Sequence, residues 1–145
     1  RSARKISEHL GVELKEIFVH GIETTDNDEI LGSNLFLIST AVVTAKENQK
    51  LICLGVHAGT NYYDCSKEFH NKANKLIKDM SVGKMEYFAP FITWSKSEIF
   101  EYCIQEKLPL HITDSCEREE TVPCGNCRSC KDRDILCMQE NGKSN

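Results

Sequence analysis

The chain is 145 residues long, 40% hydrophobic and 28% charged, with a formal net charge of −4 and a pI near 5.7. That length builds one modest domain with a real core, and the acidic balance argues against a broad electrostatic grip on nucleic acid, so no direct DNA binding is expected. Eight cysteines behind a start unlike a secretory signal point to a reducing cytoplasm, and no apolar run approaches the roughly 20 residues that cross a bilayer.

Arg1 to Leu10 reads as the back half of a helix, with Ala3, Ile6 and Leu10 apolar and Gly11 in the usual closing position. An opening in mid-helix without Met predicts a polypeptide truncated or processed ahead of Arg1. Leu14 to Ile22 (LKEIFVHGI) has the β-branched and aromatic enrichment of a buried strand, and the polar run Glu23 to Glu29 is a solvated loop. Asn34 is placed to cap a helix over Leu35 to Glu47, whose Leu35, Leu37, Ile38, Ala41, Val42 and Ala45 make a wide apolar face suited to a sheet.

Lys50 to Val56 (KLICLGV) is short and almost wholly apolar, as expected of a parallel strand covered on both sides. His57 to Ser66 (HAGTNYYDCS) carries Gly, Asn and Asp without helical periodicity. It is a loop at the carboxyl end of that strand, where open α/β sheets bind ligands. Glu68 to Met80 returns to helix, with Phe69, Ala73, Leu76 and Ile77 on one buried face. Lys84 to Phe91 is a third strand, and Ser95 with Glu98 forms a capping box at the head of a helix that ends near Leu108. A short helix over Asp132 to Met138 closes the chain. Strands alternating with helices define an α/β class with a parallel sheet, divided as 1–110 for the α/β part and 111–145 for a cysteine-rich tail.

In that tail Cys116, Cys124, Cys127 and Cys130 are spaced C-x7-C-x2-C-x2-C. A thiolate quartet suits the tetrahedral preference of Zn²⁺, at about 2.3 Å per bond. Gly125 lets the backbone curl so that N–H groups point at sulfur, Pro123 stiffens the approach, and Arg128 and Lys131 soften the negative charge. Reduced core thiols fit poorly among Glu, Arg, Asn and Lys, a disulfide framework needs an oxidising compartment, and an iron–sulfur cluster is the rival metal centre. Cys53 and Cys103 fall on apolar faces and read as core, while His20, His70 and His111 read as structural or exposed.

With these elements in place, the chain resembles the 7-cyano-7-deazaguanine synthases, QueC-like members of the adenine nucleotide α-hydrolase (PP-loop ATP pyrophosphatase) superfamily. Asn34 to Ala45 is similar to the family's N-L-x-F-L-x-x-A helix, Gly55 to Phe69 to its G-V-x-A…Y-P-D-C-R-x-E-F segment, and Phe91 to Ile99 (FITWSKSEI) to its P-L-x-x-x-T-K-x-E-I element. Leu108 to Cys130 resembles L-P…T-x-S-C…P-C-G-x-C-x-S-C, with Arg133 following as in the family's C-x-x-R.

The resemblance implies a Rossmann-like sheet that binds ATP and Mg²⁺, adenylates a carboxylate and lets ammonia displace AMP. In the type enzymes the amide of 7-carboxy-7-deazaguanine is then dehydrated to the nitrile with a second ATP. Zinc would be structural, beside the acceptor pocket, because four thiolates leave no open position. The family's S-G-G-x-D-S pyrophosphate loop does not occur in the 145 residues, and Gly55 to Gly59 (GVHAG) is too weak a cradle to replace it. Ser33 stands for Arg, Tyr63 for Pro and Ser66 for Arg; losing that planar cation shifts the expected acid away from the deazaguanine or into an anti-phage defence system.

No catalytic residue is assigned. The candidate substrate or nucleotide contacts are Asn34, Gly55, His57, Tyr63, Asp64, Cys65 and Glu68, and the metal ligands are the four tail cysteines. Plainer readings stand beside them: His57 as a satisfied structural histidine, Glu68 as a helix-dipole partner, Phe69 as core, and Trp94 as a packing anchor or an interface. Expected partners are ATP, a small-molecule or protein carboxylate, and a homodimer mate or an operon-encoded protein. The rival from another class is a non-catalytic, zinc-stabilised binding module on the same scaffold.

Overall fold

Hydrophobic patterning and caps translate into helices more faithfully than into strands. The computed structural model describes residues 2–25, 30–118 and 122–143. Its helices are α1 (Ser2–Leu10), α2 (Ser33–Thr44), α3 (Lys67–Met80), α4 (Lys96–Gln105) and α5 (Arg128–Lys143). Strands β1 (Leu51–Cys53) and β2 (Glu86–Phe88) pair in parallel, Leu51 opposite Glu86 and Cys53 opposite Phe88. Short 3-10 turns lie at Tyr63–Cys65 and Leu110–Ile112. The class is therefore mixed α/β with a small parallel sheet, and the expected acidic loop lies mostly outside the described residues.

The chain divides into two compact units, Val19–Ile99 forming one and the segments up to Phe18 and from Phe100 onward the other. In the first, Ile38 from α2, Ile52 from β1, Ala73 and Ile77 from α3, and Tyr87 and Ala89 around β2 close on one another as the core. The sheet presents Ile52 and Tyr87 to this core and turns Leu51, Cys53, Glu86 and Phe88 the other way, because successive side chains alternate.

Several expectations change at this level. Leu14 to Ile22 forms no strand, and Phe18 is 81% exposed: a strand needs a ladder neighbour, and the segment has none among the described residues. Cys53 is exposed rather than core, since among the described residues of its unit only one face of the sheet is covered, and Leu35, Leu37 and Leu76 are exposed as well. Of the two readings given for His70, structural or exposed, its burial agrees with the first.

The caps also sort themselves. Ser95 and Glu98 do form the reciprocal box, Glu98 N donating to Ser95 Oγ at 3.2 Å and Ser95 N to Glu98 Oε2 at 2.7 Å. Asn34 is not the cap of α2. Gly32 holds that position in the left-handed region (φ 73°) with no side-chain bond, and Asn34 lies in the first turn. Ser66 caps α3 by accepting from Phe69 N at 3.1 Å.

Candidate metal centre and ligand loop

The four tail cysteines converge. Their Sγ atoms all lie within 4.8 Å of one another, and Cys130 is buried while the others are half-buried. A tetrahedral thiolate site with bonds of about 2.3 Å has sulfur edges of about 3.8 Å, so the quartet needs only a small contraction to close on an ion. Gly125 takes φ 69°, which turns the chain so that Asn126 N and Cys127 N both donate to Cys124 Sγ at 3.4 Å. Cys130 N donates to Cys127 Sγ and Cys124 N to Cys116 Sγ, each at 3.4 Å.

These N–H groups favour thiolate. The backbone N–H groups of Asn126 and Cys127 hold the Cys124 thiol down at about 6, and backbone N–H groups led by that of Glu117 lower Cys127. Burial pushes the Cys130 thiol up to about 12. Donor set, spacing and N–H pattern fit a closed metal site.

The knot is braced from both sides. Cys116 N donates to Asp114 Oδ1 at 2.9 Å, and Glu117 Oε1 accepts from Ser129 Oγ at 2.5 Å. Arg133, one turn into α5, donates to Leu110 O at 2.6 Å and to Thr113 Oγ1 at 2.9 Å. That bond pair fastens the helix carrying Cys130 to the turn that precedes Cys116.

The ligand-loop candidates separate into three groups. Asn34, Asp64 and Cys65 meet: Asn34 N donates to Asp64 Oδ2 and Asn34 Nδ2 to Asp64 O, both at 3.1 Å, and Nδ2 reaches Cys65 Sγ at 3.4 Å. Asp64 therefore caps α2 from 30 residues away, its carboxylate at the positive end of the helix dipole. Tyr63 and Glu68 form a second, exposed group with Lys72, whose Nζ lies 2.6 Å from Glu68 Oε1, 3.1 Å from Tyr63 Oη and 5.7 Å from the Tyr63 ring centroid. The Lys72 hydrogen bond is the main cause holding the Glu68 carboxyl below its ordinary 4.5.

Gly55 and His57 belong to neither. A Cβ on Gly55 would meet nothing within 4 Å, so no close approach requires glycine there. His57 Nδ1 contacts the carbonyl of the next residue, Ala58, whose N–H donates to Trp94 O at 2.9 Å. Trp94 packs edge-on against Phe91 at 5.4 Å between centroids, which is an anchoring contact. Sequence reasoning passed over Lys72, although its i,i+4 spacing from Glu68 was visible, and over the buried pair of His70 and Tyr87, which no local pattern signals.

A mixed α/β fold with a convergent cysteine quartet defines an α/β protein with four thiols placed so that they could hold a metal ion. Residues 7–137 match the family described as "Queuosine biosynthesis protein QueC", and the chain belongs to that family. It is 32% identical over 102 residues to the 7-cyano-7-deazaguanine synthase of Campylobacter jejuni (strain 81116), covering 68% of this chain and 46% of the relative. Against the enzyme of that name from Prochlorococcus marinus (strain NATL1A) it is 32% identical over 119 residues, 77% of this chain and 53% of the relative. The Aliarcobacter butzleri 7-cyano-7-deazaguanine synthase is 33% identical over 103 residues, 68% of this chain and 45% of the relative. The chain thus spans about half the length of the relatives it matches. Among the described residues no helix is long and apolar enough to cross a membrane.

Proposed function

We propose that the chain is the acceptor-side and metal-bearing part of an ATP-dependent ligase that activates a carboxylate for amide or nitrile formation. The observation that carries this reading is the family match over residues 7–137 together with the convergence of the four thiols the family pattern requires. In the proposed chemistry a carboxylate oxygen attacks the α-phosphorus of ATP and pyrophosphate leaves. Ammonia then attacks the acyl carbon of the adenylate, AMP departs and the ammonium proton is lost to solvent, leaving the amide.

Zinc in the quartet would be structural, with Cys116, Cys124, Cys127 and Cys130 filling all four positions and leaving none for substrate. The sheet is read as part of a Rossmann-like domain, and the protein as cytoplasmic. The pyrophosphate loop is supplied by sequence other than these 145 residues, which contain no S-G-G-x-D-S. Asn34, Asp64 and Cys65 serve this site by fixing the start of α2 and the loop before α3, a positioning role given their mutual bonds.

Ser66 as a cap instead of a cationic fork favours an acid other than 7-carboxy-7-deazaguanine, such as the substrate of an anti-phage defence system. The binding-module alternative draws on the engagement of the Asp64 carboxylate in capping, which leaves it less free for a ligand. The test is release of AMP and pyrophosphate by the full-length protein with 7-carboxy-7-deazaguanine and a panel of other acids, alongside elemental analysis. Turnover with one equivalent of zinc supports the ligase. No turnover and no nucleotide-induced thermal shift would leave the binding module.

A further inference from the structure

Seven residues separate Cys116 from Cys124, whereas only two lie between Cys124 and Cys127 and two between Cys127 and Cys130. One turn and the start of α5 gather the last three, but Cys116 has to be brought across a loop whose closure costs conformational entropy. Whatever holds it beside the others therefore bears on how tightly the quartet takes an ion.

The residues on either side of Cys116 both reach Ser129, the neighbour of Cys130. Glu117 Oε1 accepts from Ser129 Oγ at 2.5 Å and from Ser129 N at 3.3 Å, and Ser115 Oγ donates to Ser129 O at 3.4 Å. The main chain adds a further tie, since the Glu117 N–H donates to the Cys127 thiol. Cys116 is thus bracketed by two residues fastened to the helix that carries Cys130.

The Glu117 bonds also follow from the way α5 begins. Cys127 O accepts from Lys131 N, which puts Cys127 at the cap position, and its Sγ accepts from Cys130 N at 3.4 Å. Ser129 N is the other exposed donor of that first turn, and the Glu117 carboxylate takes it at the positive end of the helix. A carboxylate beside four thiolates adds to their negative charge, so the placement of its two bonds, not its charge, is what serves an ion.

We propose that Glu117 is a positioning residue of the metal centre, which holds Cys116 against the other three thiols by clasping Ser129. The proposal rests on the reading of the quartet as a metal site and is independent of the ligase chemistry. Glu117 is exposed and outside the described helices, so its replacement leaves the core untouched.

Zinc affinity of the full chain is measured by competition with a chromophoric chelator. The number of sulfurs on the ion is read from the thiolate-to-cobalt charge-transfer band after loading with Co²⁺, a quantity that stabilising α5 alone would not change. Glu117→Ala should weaken zinc binding about tenfold or more, the range for a residue that orients a ligand, and should lower the band per bound cobalt as Cys116 gives way to water. Glu117→Gln, whose Oε1 can accept the same two bonds, should recover most of both. Ser129→Ala should weaken zinc binding as well, and the double variant should lose less than the sum of the two. An unchanged zinc Kd in Glu117→Ala, an undiminished four-thiolate band, or fully additive losses would each overturn the proposal. A native chain that takes up no zinc would overturn the metal site itself along with it.

Discussion

Asp64 shows how a polar residue in a loop can be committed to structure before any ligand arrives. Its Oδ2 accepts the N–H of Asn34 and stands in for the side-chain cap that Gly32 cannot provide. Asp64→Ala is expected to cost about 1 kcal/mol, the usual loss of a helix cap, with Asp64→Asn losing less because its carbonyl oxygen still accepts. Urea unfolding of the three proteins measures this, and equal midpoints would deny the capping role. His70 gives the pH counterpart. Burial lowers its folded pKa below the ordinary 6.5, with the nearby Asp64 carboxylate working against that shift and Lys67 the cation that shares a cavity lining with it. The unfolded chain then binds more protons, so stability is present above pH 6.5 and is lost as pH falls from there through the folded value. Thermal unfolding of the native protein should fall more steeply between pH 7 and 5 than that of His70→Phe. Signals that are local in sequence were legible at this scale: the Ser95 and Glu98 box and the cysteine spacings both appear as read. Contacts across 30 residues, such as Asp64 with Asn34, or across 17, such as His70 with Tyr87, leave no mark in a local pattern.

Among the elements, the helices were recovered because each carries its own hydrogen bonds and ends at a recognisable stop. A strand depends on a neighbour. LKEIFVHGI has strand composition, yet no described segment lies alongside to complete its ladder, whereas β1 and β2 find each other. The element most exposed to a single substitution is α5. It carries Cys130 of the cysteine cluster and is fastened to the Leu110–Ile112 turn by Arg133, whose guanidinium spans Leu110 O and Thr113 Oγ1. Arg133→Ala removes both bonds and should cost about 1.5 to 3 kcal/mol, with Arg133→Lys recovering only part, since an ammonium does not reproduce the planar fork. Chemical denaturation of the metal-loaded protein tests the size, and restoration by lysine would contradict the geometry. The same knot makes a prediction for thiol chemistry. Cys53 and Cys137 are exposed and should react with a disulfide reagent at once, while the four clustered thiols should react only after a strong chelator has removed the ion. Immediate reaction of all exposed and clustered thiols in freshly purified protein would argue that no metal is held.

At the scale of the whole molecule, what the chain leaves uncovered is as informative as what it buries. Parallel sheets are ordinarily covered on both faces, because the crossover helices that join their strands pack there. Here α2 and α3 contribute to the core around Ile52 and Tyr87, while Leu51 (57% exposed), Cys53 and Phe88 (54%) share the opposite face and meet solvent. The sequence reading of KLICLGV as a strand apolar on both sides expects two covers, and the described residues of the Val19–Ile99 unit supply only one of them. Burial of apolar area contributes roughly 25 cal/mol per Å², so an open face of this kind drives association wherever a second apolar surface is available. The purified 145-residue chain should therefore sediment faster as its concentration rises and should enhance the fluorescence of a hydrophobic dye. Leu51→Lys combined with Cys53→Lys places two charges on that face without touching the Ile52 side, and should suppress both signals while zinc stoichiometry is unchanged. A native chain that stays monodisperse across the same concentrations and leaves the dye dark would mean that the face is closed in solution by residues of the chain itself.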